Sequence, residues 1–251
     1  MKISVVTAVM NGRATLPQML DSLKAQTHRQ VEHVVQDGGS TDGTLDYLQT
    51  HGHGAMALLS VPDTGIYDAI NQGITRASGD VIGLLHADDQ LASDDVLARV
   101  AQAMQAPEID GVYGDLQYIA RDDETRVIRH WKAGDFAPAQ LRRGWMPPHP
   151  TLYLRREVFA RAGLYDTSYR ISGDYDGMLR FLTKGQVRLA YLPHVMVRMR
   201  MGGVSNRSFA HMIRKSREDY RAIRRHQVGG IGTLVAKNLS KLPQFSGRGQ
   251  V

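Results

Sequence analysis

The chain has 251 residues and no cysteine, with 42% hydrophobic and 22% charged residues. This composition is typical of a folded globular protein and excludes disulfide bonds and thiolate metal sites. The net charge of +6 is unevenly divided, because residues 1–125 carry −11 and residues 126–251 carry +17. The basic half predicts a surface for an anionic partner (phosphorylated substrate, acidic lipid or nucleic acid), with a chance distribution of charge as the alternative.

Strands and helices are predicted to alternate through the first half of the chain. Buried strands are expected at residues 3–8, 31–36, 56–61 and 81–85. Apolar side chains at helical spacing predict helices that begin near residues 16, 44, 66 and 96. This order predicts an α/β fold with a mostly parallel central sheet and helices on both of its faces.

The second half has a less regular pattern. Strands are expected at residues 111–120, 126–131, 187–192 and 195–200. Helices are expected at 157–162 and 174–183, and a long basic helix at 208–226. The simplest division is one compact domain followed by a basic carboxyl-terminal tail.

Two adjacent carboxylates follow the predicted strand at residues 81–85. Asp88 and Asp89 lie just past its carboxyl end, where open α/β sheets bind their ligands. Oxygen ligands of this kind suit Mg²⁺ or Mn²⁺, which usually bridge to substrate phosphates. The alternative is that the pair starts a turn or caps the next helix.

Asp37 stands at the end of the second predicted strand, in the segment QDGGSTDGT. A carboxylate there can accept a hydrogen bond from a base or a ribose hydroxyl, and the two glycines that follow let backbone approach a flat ring. A turn with a helix N-cap is the alternative. The first strand–helix turn lacks the G-x-G-x-x-G fingerprint, and no P-loop motif is present, which disfavours dinucleotide-binding and P-loop enzymes.

Seven segments carry a family resemblance. In chain order they are ISVVTAVMNGRATL, DGGSTDGT, DTGIYDAINQGI, HADD, PPHPTLYLRREVFARAGLYD, ISGDYDGMLRF and VRMRMGGVSN. Together they resemble the inverting glycosyltransferases of family 2, of the bacterial polysaccharide or cell-surface glycan type, which have the GT-A (Rossmann-like) fold. The resemblance implies a GT-A domain at residues 1–206, with a nucleotide-sugar half (1–120) and an acceptor half (121–206), before a basic helical extension (207–251).

The resemblance also implies roles for residues of the nucleotide-sugar half. Thr7, Ala8 and Asn11 would line the nucleotide. Asp37 would read the base, most often uracil, and Asp63 would close over the base or ribose.

The family's D-x-D signature corresponds to residues 86–88. Asp88 matches its last aspartate, which implies a ligand for the diphosphate and for a divalent cation, Mn²⁺ or Mg²⁺. The first position is His86 instead of aspartate, a departure at the position that contacts the ribose. Asp89 is a second candidate metal ligand.

The resemblance places the catalytic base in ISGDYDGMLRF. Asp174 corresponds to the aspartate of the family's E-D pair, whose glutamate is replaced by Gly173. Asp174 and Asp176 would point about 200° apart on a helix, so only one is expected to face the cleft. We predict Asp174 as the base, with capping of the helix as the alternative. Asp176 and His149 remain candidates for contacts to the acceptor or the diphosphate.

The predicted reaction is a metal-assisted direct displacement by a glycosyltransferase of the hexosyltransferase type. The donor would be a nucleoside-diphosphate sugar, most often a UDP-sugar, and the acceptor a hydroxyl of a glycan or a lipid-diphosphate-linked glycan. A sugar nucleotidyltransferase is one alternative, but the segment MNGRAT offers only Arg13 for a phosphate loop. A nucleic-acid-binding protein is the other, and the chain lacks interleaved aromatic residues and any recognisable binding motif.

The carboxyl-terminal segment is basic and partly apolar. Seven Lys/Arg and two Asp/Glu lie between Arg207 and Arg225. Apolar side chains then alternate with lysines, at Leu234, Val235, Leu239, Leu242 and Phe245. This pattern predicts a segment that lies on an anionic membrane, with a helix packed back on the domain as the alternative. The first residues predict a strand rather than a signal peptide, so the expected location is cytoplasmic, with peripheral contact at the inner face of the cytoplasmic membrane.

Overall fold

The structure is a computed structural model that describes residues 1–52, 54, 56–201 and 209–239. Its strands are β1 (Ile3–Val9), β2 (Val31–Asp37), β3 (Met56–Ser60), β4 (Val81–Leu84), β5 (Asp89–Leu91), β6 (Gly111–Ile119), β7 (Val127–Trp131), β8 (Tyr153–Arg155) and β9 (Leu189–Arg200). Its α-helices are α1 (Leu16–Lys24), α2 (Thr44–His51), α3 (Ile66–Arg76), α4 (Val96–Ala103), α5 (Arg156–Ala162), α6 (Gly173–Thr183), α7 (Phe209–Arg225) and α8 (Ile231–Leu239). Short 3-10 helices span Pro138–Arg143 and His149–Thr151.

The described strands form one mixed sheet in the order β3-β2-β1-β4-β8-β6-β9-β5, with β7 paired to β6. The four strands of the first half are mutually parallel, as their near-continuous apolar runs predict. Their carboxyl ends therefore meet at one edge of the sheet. The second half adds the parallel pair β6–β9 and four antiparallel pairs.

The structure differs from the expected strands at three places. The two strands predicted at 187–192 and 195–200 are one strand, β9, in which Pro193 and His194 interrupt the register with β6: Gly114 lies opposite Leu192, and Asp115 opposite Val195. The strands β5 and β8 were not predicted. Each has three residues, too few to produce an alternating or periodic pattern.

Helices cover both faces of the sheet, which confirms the predicted fold class. One core cluster combines α1 and α4 with residues of β1, β4 and β6. The other combines α3 and α6 with the opposite side of the same strands. The alternation of side chains along a strand supplies both clusters at once.

The carboxyl-terminal helices pack against the domain over residues 209–239. In α7, Ala222 and Ile223 are fully buried in the core cluster that contains α6. The proposed boundary at residue 207 stays a prediction, and Leu242 and Phe245 lie outside the described residues. None of the helices in the described ranges is long and apolar enough to cross a membrane.

Candidate active site

A cleft of about 390 Å³ opens at the carboxyl ends of β1 and β4. Four of the residues predicted to bind the nucleotide sugar line it: Ala8, Asn11, His86 and Asp88. The turn after β1 is shaped by Asn11, which has φ of 54°. Its side-chain Oδ1 accepts a hydrogen bond from the backbone N–H of Thr41 at 2.9 Å. This bond fixes the turn against the loop that follows β2.

Thr7 is not among the residues that line the cleft. It is fully buried, its hydroxyl donates to the backbone oxygen of Leu85 at 2.8 Å, and its Oγ1 lies 3.0 Å from His33 Nε2. Thr7 therefore ties β1 to the two strands beside it, and any contact with nucleotide would come through its backbone.

The carboxylate of Asp37 is occupied by its own loop. It accepts hydrogen bonds from the backbone N–H groups of Gly39 and Ser40 and from the hydroxyls of Ser40 and Ser60. Burial alone would raise the pKa of Asp37, but these hydrogen bonds outweigh burial and lower it. This is the turn-stabilising role named above as the alternative, and the role of Asp37 in reading a base stays a prediction.

Asp63 lies over the same loop. A Cβ atom on Gly38 would come within 2.4 Å of Asp63 Oδ2, so this close approach requires glycine at residue 38. The other oxygen, Oδ1, accepts from the backbone N–H of Gly65 at 2.9 Å. The structure therefore brings Asp63 beside the end of β2, next to the cleft-lining Met10.

Two histidines meet at the inner end of the cleft. The rings of His86 and His149 are 6.1 Å apart, and His149 Nε2 lies 3.0 Å from the hydroxyl of Tyr165. Burial lowers the pKa of His86, although the charges of Asp88 and Asp174 oppose this shift. Burial also lowers the pKa of His149 to about 4. Both imidazoles are therefore neutral near pH 7.

Asp174 lies in the first turn of α6, near enough for its charge to oppose the lowering of both histidine pKa values, and it is not among the residues that line the cleft. The hydroxyl of Tyr67 lies 3.4 Å from Asp174 Oδ1 and donates to the backbone oxygen of Ile171 at 2.6 Å. A Cβ atom on Gly173 would come within 2.7 Å of the Tyr67 ring. The glycine that replaces the family's glutamate thus makes room for Tyr67.

A carboxylate from α7 holds the loop that precedes Asp174. Glu218 accepts hydrogen bonds from three consecutive backbone N–H groups, at 3.1, 2.8 and 2.9 Å, those of Arg170, Ile171 and Ser172. No motif or spacing in the sequence pointed to Glu218. The motif DTGIYDAINQGI contained Tyr67, but the resemblance assigned it no role.

The structure does not bring Asp176 to the cleft. Its carboxylate is fully buried, with Oδ1 2.9 Å from His226 Nε2 and 3.6 Å from the nearest guanidinium nitrogen of Arg225. Two residues along a helix turn a side chain to a different face. Asp176 therefore faces α7, whereas Asp174 lies near the histidines.

Asp89 is also not among the residues that line the cleft. It begins β5, pairs with Met199 of β9 and is fully buried. Burial, and then the charge of Asp88, raise its pKa well above the usual range. Because Asp88 lines the cleft and Asp89 is enclosed in the sheet, the structure favours Asp88 over Asp89 as a candidate metal ligand.

The donor set of the cleft suits a cation that is shared with substrate. Within the described ranges, no group of three or more His, Asp or Glu side chains forms a closed metal site. One carboxylate on a cleft wall, here Asp88, is nonetheless a usual protein contribution when phosphate oxygens and water complete the shell. The cleft is also lined by Arg121 and Arg200, which the sequence analysis did not select.

Residues 4–163 match the family model described as Glycosyl transferase family 2. The chain belongs to this family. A PGL/p-HBAD biosynthesis glycosyltransferase of Mycobacterium bovis is 35% identical over 209 residues, which cover 81% of this chain and 78% of that protein. An uncharacterized glycosyltransferase of Mycobacterium tuberculosis is 34% identical over 183 residues, 71% of this chain and 68% of that protein. The protein is therefore a glycosyltransferase, and neither alternative class describes it.

Solved structures confirm the predicted GT-A fold. S. aureus TarS in complex with UDP superposes with a TM-score of 0.69 at 15% identity, over 100% of this chain and 76% of that one. A mannosyltransferase from Pyrobaculum calidifontis in complex with GDP-Man and Mn²⁺ superposes with a TM-score of 0.66 at 20% identity, also over 100% and 76%.

Proposed function

We propose that this family 2 glycosyltransferase moves a sugar from a nucleoside-diphosphate sugar to an acceptor hydroxyl by one displacement that inverts the anomeric carbon. The observation that carries this proposal is the position of Asp174. This carboxylate acts on His86 and His149, and His86 lines the cleft together with Asp88. A candidate base and a candidate diphosphate ligand that both lie near His86 support a single in-line displacement.

We infer that the donor nucleotide is UDP and that it occupies the cleft at the ends of β1 and β4. Bound UDP in S. aureus TarS supports this inference, and GDP-Man in the Pyrobaculum enzyme marks guanine as the competing base. Ala8 and Asn11 would contact the nucleotide, with Asp37 and Asp63 at the end toward the base. Thr7 would act through its backbone.

A divalent cation, Mn²⁺ or Mg²⁺, would be held by Asp88 together with the donor's phosphates, and it would supply positive charge to the leaving diphosphate. The Mn²⁺ in the Pyrobaculum structure supports this role. Two arginines of the cleft wall supply fixed positive charge as well. Arg200 pairs with Glu124 at 2.5 Å, whereas Arg121 is exposed.

Asp174 and the residues around it have different roles in the proton transfer. Asp174 accepts the proton of the acceptor hydroxyl as its oxygen bonds to the anomeric carbon and the nucleoside diphosphate departs. Tyr67 holds the carboxylate and the loop before it. The neutral ring of His149, fixed between two prolines and against Tyr165, can donate one hydrogen bond to the acceptor or the diphosphate.

We further propose that the acceptor is a glycan or a lipid-diphosphate-linked glycan, presented at the inner face of the cytoplasmic membrane. The basic second half of the chain supports an acceptor of this kind, because its +17 charge suits anionic lipid and diphosphate groups.

Replacing Asp88 with asparagine should remove at least about half of the stabilisation that nucleotide and Mn²⁺ give together. A ligand present at 100 times its Kd raises the free energy of unfolding by about 2.7 kcal/mol, and loss of the metal ligand should weaken metal-dependent binding by at least about 10-fold. Thermal unfolding with UDP, GDP and dTDP, each with and without Mn²⁺, measures this and identifies the base.

Asp89→Asn is the matched control for that experiment. The amide has nearly the shape of the carboxyl it replaces, and residue 89 is buried away from the cleft, so this variant should bind nucleotide and metal like the original chain. Equal loss in both variants would contradict the assignment of Asp88. Release of pyrophosphate instead of a nucleoside diphosphate, or a product that retains the anomeric configuration by NMR, would reject the reaction itself.

A further inference from the structure

Helix α8 exposes three large apolar side chains and buries two polar ones. Ile231, Val235 and Leu239 are 69%, 49% and 56% exposed, whereas Thr233 and Lys237 are 5% and 2% exposed. The three apolar residues recur every fourth position and so form one stripe along the helix. An ordinary surface helix has the opposite arrangement.

Specific contacts fix this rotation of α8. Lys237 Nζ lies 2.7 Å from Asp219 Oδ2 and 3.7 Å from the centre of the Tyr175 ring. The hydroxyl of Thr233 donates to the backbone oxygen of Arg142 at 2.9 Å. Because a buried ion pair is costly to break, the apolar stripe is held outward by the fold.

Helix α7 extends the same apolar surface. Met212 and Ile213 are exposed, and with Ile231 they line a groove of about 450 Å³ between the two helices. We give the name α7–α8 surface to a set of seven exposed side chains on these two helices. Its members are Met212, Ile213, Arg217, Arg224, Ile231, Val235 and Leu239.

The charge around this surface has one sign. Arg214, Arg217 and Arg224 are exposed, and none of them forms an ion pair among the described residues. The two acidic residues of α7 point into the protein instead: Glu218 holds the loop before Asp174, and Asp219 is 1% exposed. No acidic residue occurs in α8. The outward face is therefore apolar and cationic.

We propose that the α7–α8 surface docks on an anionic lipid bilayer, with the apolar stripe among the headgroups and the arginines against lipid phosphates. An exposed apolar stripe flanked by arginines has the composition of an interfacial helix. A second copy of the chain is a poorer partner, because a two-fold contact would place the same arginines against one another. The proposal goes beyond sugar transfer and does not rest on it.

Vesicle sedimentation of the full chain tests this surface. Binding should be strong to phosphatidylcholine vesicles that contain phosphatidylglycerol, weak to phosphatidylcholine alone, and reduced by salt. Arg217→Gln with Arg224→Gln should weaken binding to the anionic vesicles roughly 20-fold, at about fivefold for each arginine. Ile231→Ser with Val235→Ser and Leu239→Ser should weaken it more than about 10-fold.

Two control variants carry the same chemical changes elsewhere. Arg29→Gln with Arg156→Gln removes two exposed arginines outside α7 and α8. Val127→Ser with Ile128→Ser removes two exposed apolar side chains of β7. Both should bind vesicles like the original chain, within about twofold.

Three results would overturn the proposal: binding that does not depend on phosphatidylglycerol, equal losses in test and control variants, or no vesicle binding at all. A dimer in light scattering that the stripe variant converts to a monomer, with vesicle binding unchanged, would assign the surface to self-association instead. Stabilisation by UDP should be the same in every variant, which separates failure of this proposal from failure of the proposed reaction.

Discussion

Asp174→Asn should lower kcat by about 100-fold to 10,000-fold, the usual contribution of a positioned general base. The amide cannot accept the proton of the acceptor hydroxyl, yet it has nearly the same shape and keeps its place beside Tyr67. The affinity for the nucleotide should therefore change little. Steady-state turnover with a fixed acceptor, combined with thermal stabilisation by the nucleotide, measures the two effects separately.

Asp176→Asn is the matched control, since it removes a carboxylate from the same helix. Asp176 contacts His226 of α7 instead of the cleft, so this variant should lose stability but keep the turnover of its folded fraction. If Asp176→Asn abolished turnover at a temperature where the protein stays folded, and Asp174→Asn did not, the assignment of the base would be wrong.

Asp219→Ala should lower the free energy of unfolding by about 3–5 kcal/mol, the usual cost of breaking a buried ion pair. Asp219 is nearly inaccessible and contacts both Lys215 and Lys237 at 2.7 Å. Its loss leaves the buried ammonium of Lys237 without this carboxylate. Urea unfolding measures the change.

Asp219→Ala combined with Lys237→Met is the control for that experiment. If the cost arises from an uncompensated buried charge, the double variant should be more stable than Asp219→Ala alone. A double variant that loses the sum of both single effects would show that packing, rather than charge, dominates the site.

The same pair predicts a pH dependence. Burial would raise the pKa of Asp219, but Lys237 and Lys215 outweigh burial and lower it. A carboxyl with a lowered pKa stabilises the fold fully above the pKa of the unfolded chain, about 4, and loses that contribution as the pH falls through its folded value. The stability difference between the original chain and Asp219→Ala should therefore shrink below about pH 4.

Local pattern was sufficient to predict most of the sheet. The strands β1, β2 and β4 are mostly buried, and the helices between them show clear spacing. The fold class follows from their alternation. The strand β8 escaped prediction because it joins β4 to β6 through residues far apart in the chain, with Ile82 opposite Leu154. Such pairing leaves no local pattern.

The surroundings of the candidate site were harder to predict from the sequence than the fold. Asp88 and Asp174 could be selected from motifs, but motifs do not tell which of two neighbouring carboxylates is buried. Asp89 and Asp176 each lie one or two residues from a candidate, and the fold turns both away from the cleft. Tyr67 reaches Asp174 across 107 residues of chain, a distance that no spacing rule covers.

The burial of Lys237 in α8 could not be predicted from the sequence either. Lys237 stands among apolar residues in the segment TLVAKNL, where a lysine is expected to face solvent. Its contacts with Asp219 of α7 and with the ring of Tyr175 in α6 account for its position. The prediction of an interfacial segment treated its lysines as solvent-facing, and Lys237 is instead 2% exposed; contact of the segment with a membrane stays a prediction.

The ion pair between Asp219 and Lys237 also bears on the order in which the chain acquires its structure. During synthesis Asp219 leaves the ribosome well before Lys237, so for an interval it can pair with Lys215 of its own helix but not with Lys237. Helix α6, which carries the proposed base Asp174, also carries Tyr175, against which Lys237 packs; α6 therefore lacks this contact until the end of α8 is made. A nascent or truncated chain that stops short of Lys237 would lack this packing on α6, although every cleft residue had already been synthesised.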